Sequence, residues 1–206
     1  MRKNQVFVGA LLLVVAVLAV GCAKPPQQEI DGAKAALAAA EQAEAPKYAA
    51  DAWDKAQQAM NAVNAELEAQ QAKFALFRSY TKGKQLIADA TNAANAAKDA
   101  AVAGKEKAKT EAQAAIDAAK ASLASANTLL ADIEKCGRAK RAKEVKKDLE
   151  TVKGNLESYK ATVADLDSKF TKEDFFGAKA AAETLKGQID PIASDLTGIK
   201  TKFKCK

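Results

Sequence analysis

VKKDLETVKGNLESYKATVADLDSKF, residues 145–170, is the stretch whose reading decides the class of fold. Its apolar positions Val145, Leu149, Val152, Leu156, Tyr159, Val163, Leu166 and Phe170 alternate steps of four and three without an error. That alternation lays a single apolar stripe along an α-helix, the heptad of helices that pack on other helices. Leu185, Ile189, Ile192, Leu196, Ile199 and Phe203 repeat it farther on, and Pro191 between them is expected to kink or restart the helix. Between the two stripes, Thr171 reads as an N-cap with Asp174 in the capping-box position, and Phe170 can staple to Phe175 across it.

Upstream the stripe continues in smaller residues. Trp53, Met60, Leu67 and Phe74 are spaced by seven, with Ala56, Val63 and Phe77 in the intervening positions and Gln70 as the one polar member. This predicts a packing seam that includes both phenylalanines. Before it, 29–45 reads as a short helix closed by a corner at Ala45-Pro46, because proline suits the first turn of the helix that follows. After it, Thr81-Lys82-Gly83 permits a turn or kink. From 85 to 134 the stripe is first almost wholly alanine, then Ile116, Leu123, Leu130 and Ile133. Gly104 could end a helix there, but a continuous helix is the preferred reading, at a cost of about 1 kcal/mol. The middle around Ala93 to Ala114 buries little surface and should be the least stable part.

Roughly a quarter of the chain is alanine, and no mature segment alternates apolar with polar residues as a strand would. The expected fold is therefore all-α, an elongated set of antiparallel helical hairpins forming a coiled-coil-like bundle with no sheet. Its parts are an alanine-rich helical region over 29–134 and a second helical hairpin over 138–206. A weak echo at an offset of 96 relates Lys73-Phe74 and Tyr80 to Lys169-Phe170 and Phe176. Each set falls near a corner between two seams, so Phe74, Tyr80, Phe170 and Phe176 form a candidate interaction corner. A duplicated hairpin and chance similarity both remain open.

The N-terminal end carries an address. Arg2 and Lys3 precede an apolar run from Val6 to Val20, which as a helix would rise only about 22 Å, short of a hydrocarbon core of roughly 30 Å. Leu18-Ala19-Val20-Gly21-Cys22 then looks like a bacterial lipobox, with 1–21 as signal peptide and Cys22 as the lipidated first residue of the mature chain. An uncleaved signal anchor and an ordinary secreted protein are the alternatives. One acyl chain binds a membrane only marginally, so two or three are needed on Cys22 for lasting attachment. Residues 22–28, with Pro25-Pro26, read as the lipidated cysteine and a short extended tether. Ala23 after Cys22, by resemblance to proteobacterial lipoproteins, favours the outer membrane.

Two further cysteines, Cys136 beside Gly137 and the penultimate Cys205, suggest a disulfide in an oxidising compartment, with free thiols or an intermolecular bridge as alternatives. The chain has no histidine, which removes ordinary Ser-His and Cys-His nucleophilic sites and most zinc sites. There is no glycine-rich phosphate loop and no EF-hand spacing, and the many carboxylates lie among lysines on helix faces. No enzyme activity and no cofactor are expected beyond the covalent diacylglycerol and acyl lipid on Cys22. The net charge is +6, of which Arg2 and Lys3 carry two units, and much of the excess lies between Lys135 and Lys147 and in the C-terminal lysines. A solvated helix face, or attraction to anionic lipid or cell-wall polymer, explains such a run. Nucleic acid is not expected, because no aromatic residues interleave with these bases to stack on it.

Residues 33–101 resemble the bacterial family catalogued as domain of unknown function 4398. The features that carry the resemblance are the alanine-rich first helix, the corner Ala45-Pro46-Lys47-Tyr48-Ala49, its continuation through Trp53 and Ala56, and Tyr80 before an alanine-rich third helix. The resemblance implies an exported, often lipid-anchored helical protein with no established activity. Taken together, these features lead us to expect a cell-envelope lipoprotein facing the periplasm, with a structural or protein-interaction role. Its expected partners are membrane lipid, through the anchor, and an envelope protein or cell-wall component. The alternative is a periplasmic binding module or holdase-like chaperone that holds a client between its helices.

Overall fold

A computed structural model describes residues 23–205. The expected signal peptide and Cys22 lie outside the described residues. Within them the chain forms seven α-helices and one 3₁₀ turn, with no strand, as the heptads predict. In chain order these are α1 (Gln27–Gln42), α2 (Ala45–Tyr48), α3 (Ala50–Gln71), the 3₁₀ turn (Ala75–Phe77), α4 (Thr81–Lys135), α5 (Gly137–Lys140), α6 (Lys143–Thr171) and α7 (Phe175–Lys202). Two compact units result, one ending at Gly104 and the other beginning at Lys105. That division differs from the one read at the Cys136-Gly137 turn. α4 runs through the boundary without a break, packing its first half in one unit and its second half in the other.

In the first unit α1 and α4 run parallel and α3 runs back between them. Ile30, near the start of α1, shares a buried cluster with Leu67 near the end of α3 and with Tyr80 and Ile87 at the start of α4. Farther along, Ala40, Ala45, Ala56, Ala94, Ala97 and Ala101 form a second buried cluster, against which the partly buried Leu37, Tyr48 and Trp53 pack. Methyl side chains let helix backbones approach closely, and the same reasoning explains Gly104. A Cβ at that position would fall far inside contact with the carbonyl oxygen of Tyr48. The continuous helix therefore accepts a glycine because a neighbouring backbone occupies the place of its side chain.

The expected corner at Ala45-Pro46 resolves into two breaks. The chain leaves α1 through Glu44 in the left-handed region, at φ 60°. Pro46 then occupies the first turn of α2, where its missing N–H costs nothing. A second break at Ala49 redirects the chain into α3.

The second unit is a three-helix arrangement whose register can be read from its polar contacts. Lys105 Nζ donates to Glu173 at 2.6 Å, Lys179 Nζ to Glu111 at 2.8 Å, the Ser122 hydroxyl to Asp190 at 2.9 Å and Lys200 Nζ to Asp132 at 2.6 Å. All four pairs are separated by 68 residues, so the second half of α4 and α7 run parallel and in step. α6 returns antiparallel between them, with Lys120 on Asp167 and Lys153 near Glu134. Exposed ion pairs of this kind each contribute little, typically under about 1 kcal/mol. The register comes from the apolar stripe, where Ile116, Ile133, Leu156, Leu166, Leu185, Ile189 and Leu196 are among the most deeply buried side chains.

Two local expectations change at the second unit's corner and beyond. Thr171 is still inside α6, and its hydroxyl donates to the Asp167 carbonyl at 2.8 Å instead of capping α7. The cap is Asp174, which accepts from the Gly177 N–H at 3.1 Å. The Phe170–Phe175 pair does form across the corner, ring edge to face at 5.2 Å. α7 continues through Pro191 as one helix. Pro191 lies on the exposed side, where water can satisfy the carbonyl it leaves unpaired, and the buried stripe passes from Ile189 to Leu196 uninterrupted.

Two glycine substitutions separate helix propensity from close approach. Gly154→Ala, in open space on α6, should raise unfolding stability by about 1 kcal/mol. Gly104→Ala should lower it by about 1–3 kcal/mol, since a backbone has to move. Urea melts of both variants against the unchanged chain would check the opposite signs.

Candidate functional site

The most distinctive surface lies where α3 hands over to α4. The α3 stripe holds as expected through Ala56, Met60, Val63, Leu67 and Gln70, all buried, with Trp53 half-buried at its start. The helix ends at Gln71, however, so the next heptad positions are not on a helix face. Phe74 is 70 % exposed, Leu76 63 % and Phe77 75 %. The reading that placed Phe74 and Phe77 in the core is corrected accordingly. It extrapolated a helical period past the helix end.

A polar base holds this apolar tip in place. Gln70 Nε2 donates to Glu66 Oε1 at 2.7 Å, and Gln70 Oε1 accepts the Ser79 N–H at 3.0 Å. Glu66 also takes Lys82 Nζ at 2.8 Å. Hydrogen bonds from Lys82 and then Gln70 hold its carboxyl below the usual glutamate range. Arg78 donates from Nε to the Lys73 carbonyl at 3.0 Å and from a terminal nitrogen to the Gln71 carbonyl at 2.9 Å. Those carbonyls belong to the last turn of α3 and its exit, where intrahelical donors run out. Phe74 and Phe77 stand with ring centroids 6.4 Å apart above this base.

Tyr80, expected at the same corner, is buried at 5 % exposure and packs in the Ile30–Leu67–Ile87 cluster. Its hydroxyl has no hydrogen-bond partner among the described residues. Thr81, Lys82 and Gly83, expected as a turn, form the first turn of α4. In the second unit Phe170 is half-buried against Phe175, while Phe176 is 49 % exposed. Of the four residues named for an interaction corner, Phe74 and Phe176 are exposed, Tyr80 is buried and Phe170 is half-buried. The echo in sequence does correspond to position in the fold, since each set lies where the second long helix of its unit gives way to the third, α3 to α4 and α6 to α7.

Cys136, between α4 and α5, lies beside Cys205, just past α7, with Cα atoms 5.5 Å apart and the sulfurs in bonding geometry. The parallel register of α4 and α7 carries them there, because their separation of 69 follows directly on the contacts at 68. Lys135, Arg138, Arg141 and Lys204 surround the pair. Nearby, a hydrogen bond and charge from Lys200 lower the pKa of Asp132.

Sequence reading marked Gln70 as the polar member of a seam without its role, and it gave no role to Glu66, Leu76, Arg78 or Ser79. A signal was available in Phe74-Ala75-Leu76-Phe77, an apolar run too continuous for a one-sided helix, beginning four residues after a glutamine in a seam position. No helix among the described residues is long and apolar enough to cross a membrane. Compared with known proteins, the chain matches no family model, no curated protein and no solved structure.

The polar base and the tyrosine hydroxyl should respond differently to removal. Gln70→Ala leaves the Ser79 N–H without its acceptor and should lower unfolding stability by about 1–2 kcal/mol. Tyr80→Phe removes a hydroxyl with no partner and should leave stability unchanged or slightly higher. Paired thermal melts would read both effects.

Proposed function

We propose that this chain is a lipid-anchored protein of the cell envelope, held through Cys22 at the outer membrane and facing the periplasm, with a structural or protein-interaction role. The observation that carries this reading is Leu18-Ala19-Val20-Gly21-Cys22 at the end of an apolar run that follows Arg2 and Lys3. An acylated Cys22 gives such a run its purpose, since the run itself is short for a span.

The described fold suits a scaffold more than a container. The alanine cluster of the first unit is closed, with Ala40, Ala45, Ala56, Ala97 and Ala101 fully buried, so the methyl groups that line the helices are spent on one another. A client held between helices, the alternative function, would need that seam opened. The Cys136–Cys205 pair fits an exported protein as well, because disulfides persist in oxidising compartments.

Two measurements address this reading. Wild-type chain expressed in a bacterial host should incorporate labelled fatty acid and fractionate with membranes, and Cys22→Ala should lose the label. Absence of label in the wild type would remove the lipid anchor. For the cysteines, the oxidised chain should migrate faster than the reduced chain on a denaturing gel. Reduction should lower unfolding stability by roughly 4 kcal/mol in the chain-entropy account of a loop of about seventy residues. Two alkylatable thiols in protein purified without reductant would count against the bond.

A further inference from the structure

We infer that the turn carrying Phe74, Leu76 and Phe77 is a second membrane contact, which dips into the headgroup region of an anionic lipid surface beside the anchor. The inference rests on the anchored reading above and adds to it which face of the first unit meets the bilayer.

Three observations carry it. First, Phe74, Leu76 and Phe77 are exposed by 70 %, 63 % and 75 %, yet they sit on a turn held by the Ser79 N–H on Gln70 Oε1 and by Arg78 on the carbonyls of Lys73 and Gln71. An ordered turn that presents two aromatic rings and a leucine to water is built for a surface that accepts them. Second, the segment's own charge has one sign. From Ala69 to Ala88 the chain has no carboxylate and carries Lys73, Arg78, Lys82 and Lys84. Glu66 and Glu29 are in ion-pair contact with Lys82 and Lys84, while Lys73, which acts on Glu66 through its charge alone, and Arg78 flank the apolar tip. Basic residues around an apolar tip match a lipid surface with anionic headgroups.

Third, the route of the chain brings the lipid to the same end of the unit. α1 begins at Gln27, and its first turn is fixed to the start of α4 by Glu29 on Lys84 at 3.2 Å and by Ile30 in the cluster of Leu67 and Tyr80. That is the end at which the α3–α4 turn lies. Only four residues lie between Cys22 and Gln27, so the five steps from one to the other reach at most about 18 Å even when fully extended. Acyl chains on Cys22 would therefore hold this end, rather than the alanine-lined end at Ala45 and Ala101, close to the bilayer.

The test uses the full chain in vesicles of phosphatidylglycerol and acyl-brominated phosphatidylcholine. Bromine quenches an indole only within the lipid, and Trp53, the chain's single tryptophan, lies near the opposite end of α3. In a Trp53→Phe background, the indole introduced by Phe77→Trp should be quenched at least about threefold more than Trp53 in the unchanged chain, as for a side chain buried roughly 5–10 Å into the interface. Lys73→Glu added to that variant should weaken the quenching. Circular dichroism of each variant confirms the helical fold, which substitution at so exposed a position leaves intact.

Vesicle flotation with an unquenched, iodide-accessible indole at position 77 would overturn the inference and leave the anchored reading standing. An indole shielded without lipid, in proportion to protein concentration, would assign the turn to a second copy of the chain and overturn it as well. A chain that does not float would count against the anchor itself, and this contact would fall with it.

Discussion

α4 serves two cores at once, and that double duty is the constraint on which the remaining helices depend. Its first half must lie against α1 and α3, and its second half against α6 and α7. The residues on its buried stripe change along its length accordingly. Ala90, Ala94, Ala97 and Ala101 give way to Ile116, Leu123, Leu130 and Ile133, so one helix passes from close backbone approach to interlocking larger side chains. Close approach gains contact through backbone and methyl groups, while the larger side chains remove more apolar surface from water. Gly104, at the unit boundary, is the limiting case of the first mode, where even a methyl group is excluded.

The apolar tip and its polar base are one construction. A helix that ended at Gln71 without partners would leave its last carbonyls bare, and Arg78 reaches back to supply donors. Gln70 sits in a core position and bonds the Ser79 backbone, joining the helix end to the segment that enters α4. The chain between them has few conformations left, so Phe74 and Phe77 are held outward even though burial would be favourable for each. On the proposed reading, the cost of that exposure is recovered where the turn meets a lipid surface.

Much of this was legible in the sequence because heptads report helix faces directly. The stripes from Val145 to Phe170 and from Leu185 to Phe203 are carried by α6 and α7, and the absence of strand patterning matches the described residues. The ends of helices were less legible, since they are set by competition among local hydrogen bonds that spacing does not encode. Thr171 had the composition of a cap, yet its hydroxyl bonds back to Asp167, and Asp174 takes the capping role. Phe74 and Phe77 kept the period of a helix that had already stopped. Gly104 could not be explained locally at all, because its reason is the carbonyl of Tyr48, a residue distant in the chain. For the candidate site, the composition pointed to the corner where Phe74 is exposed, while the supporting Gln70, Glu66 and Arg78 become visible only once the turn is folded.

The constant offset between α4 and α7 bears on how this protein can change length over evolutionary time. A codon gained or lost between Lys105 and Asp132 shifts every later partner by one residue, and with it the phase of the buried stripe, unless α7 changes by the same amount. Insertions and deletions should therefore collect around Arg138 to Ala142 and Lys172 to Glu173, where the chain is between long helices, or arrive as whole heptads in all three helices together.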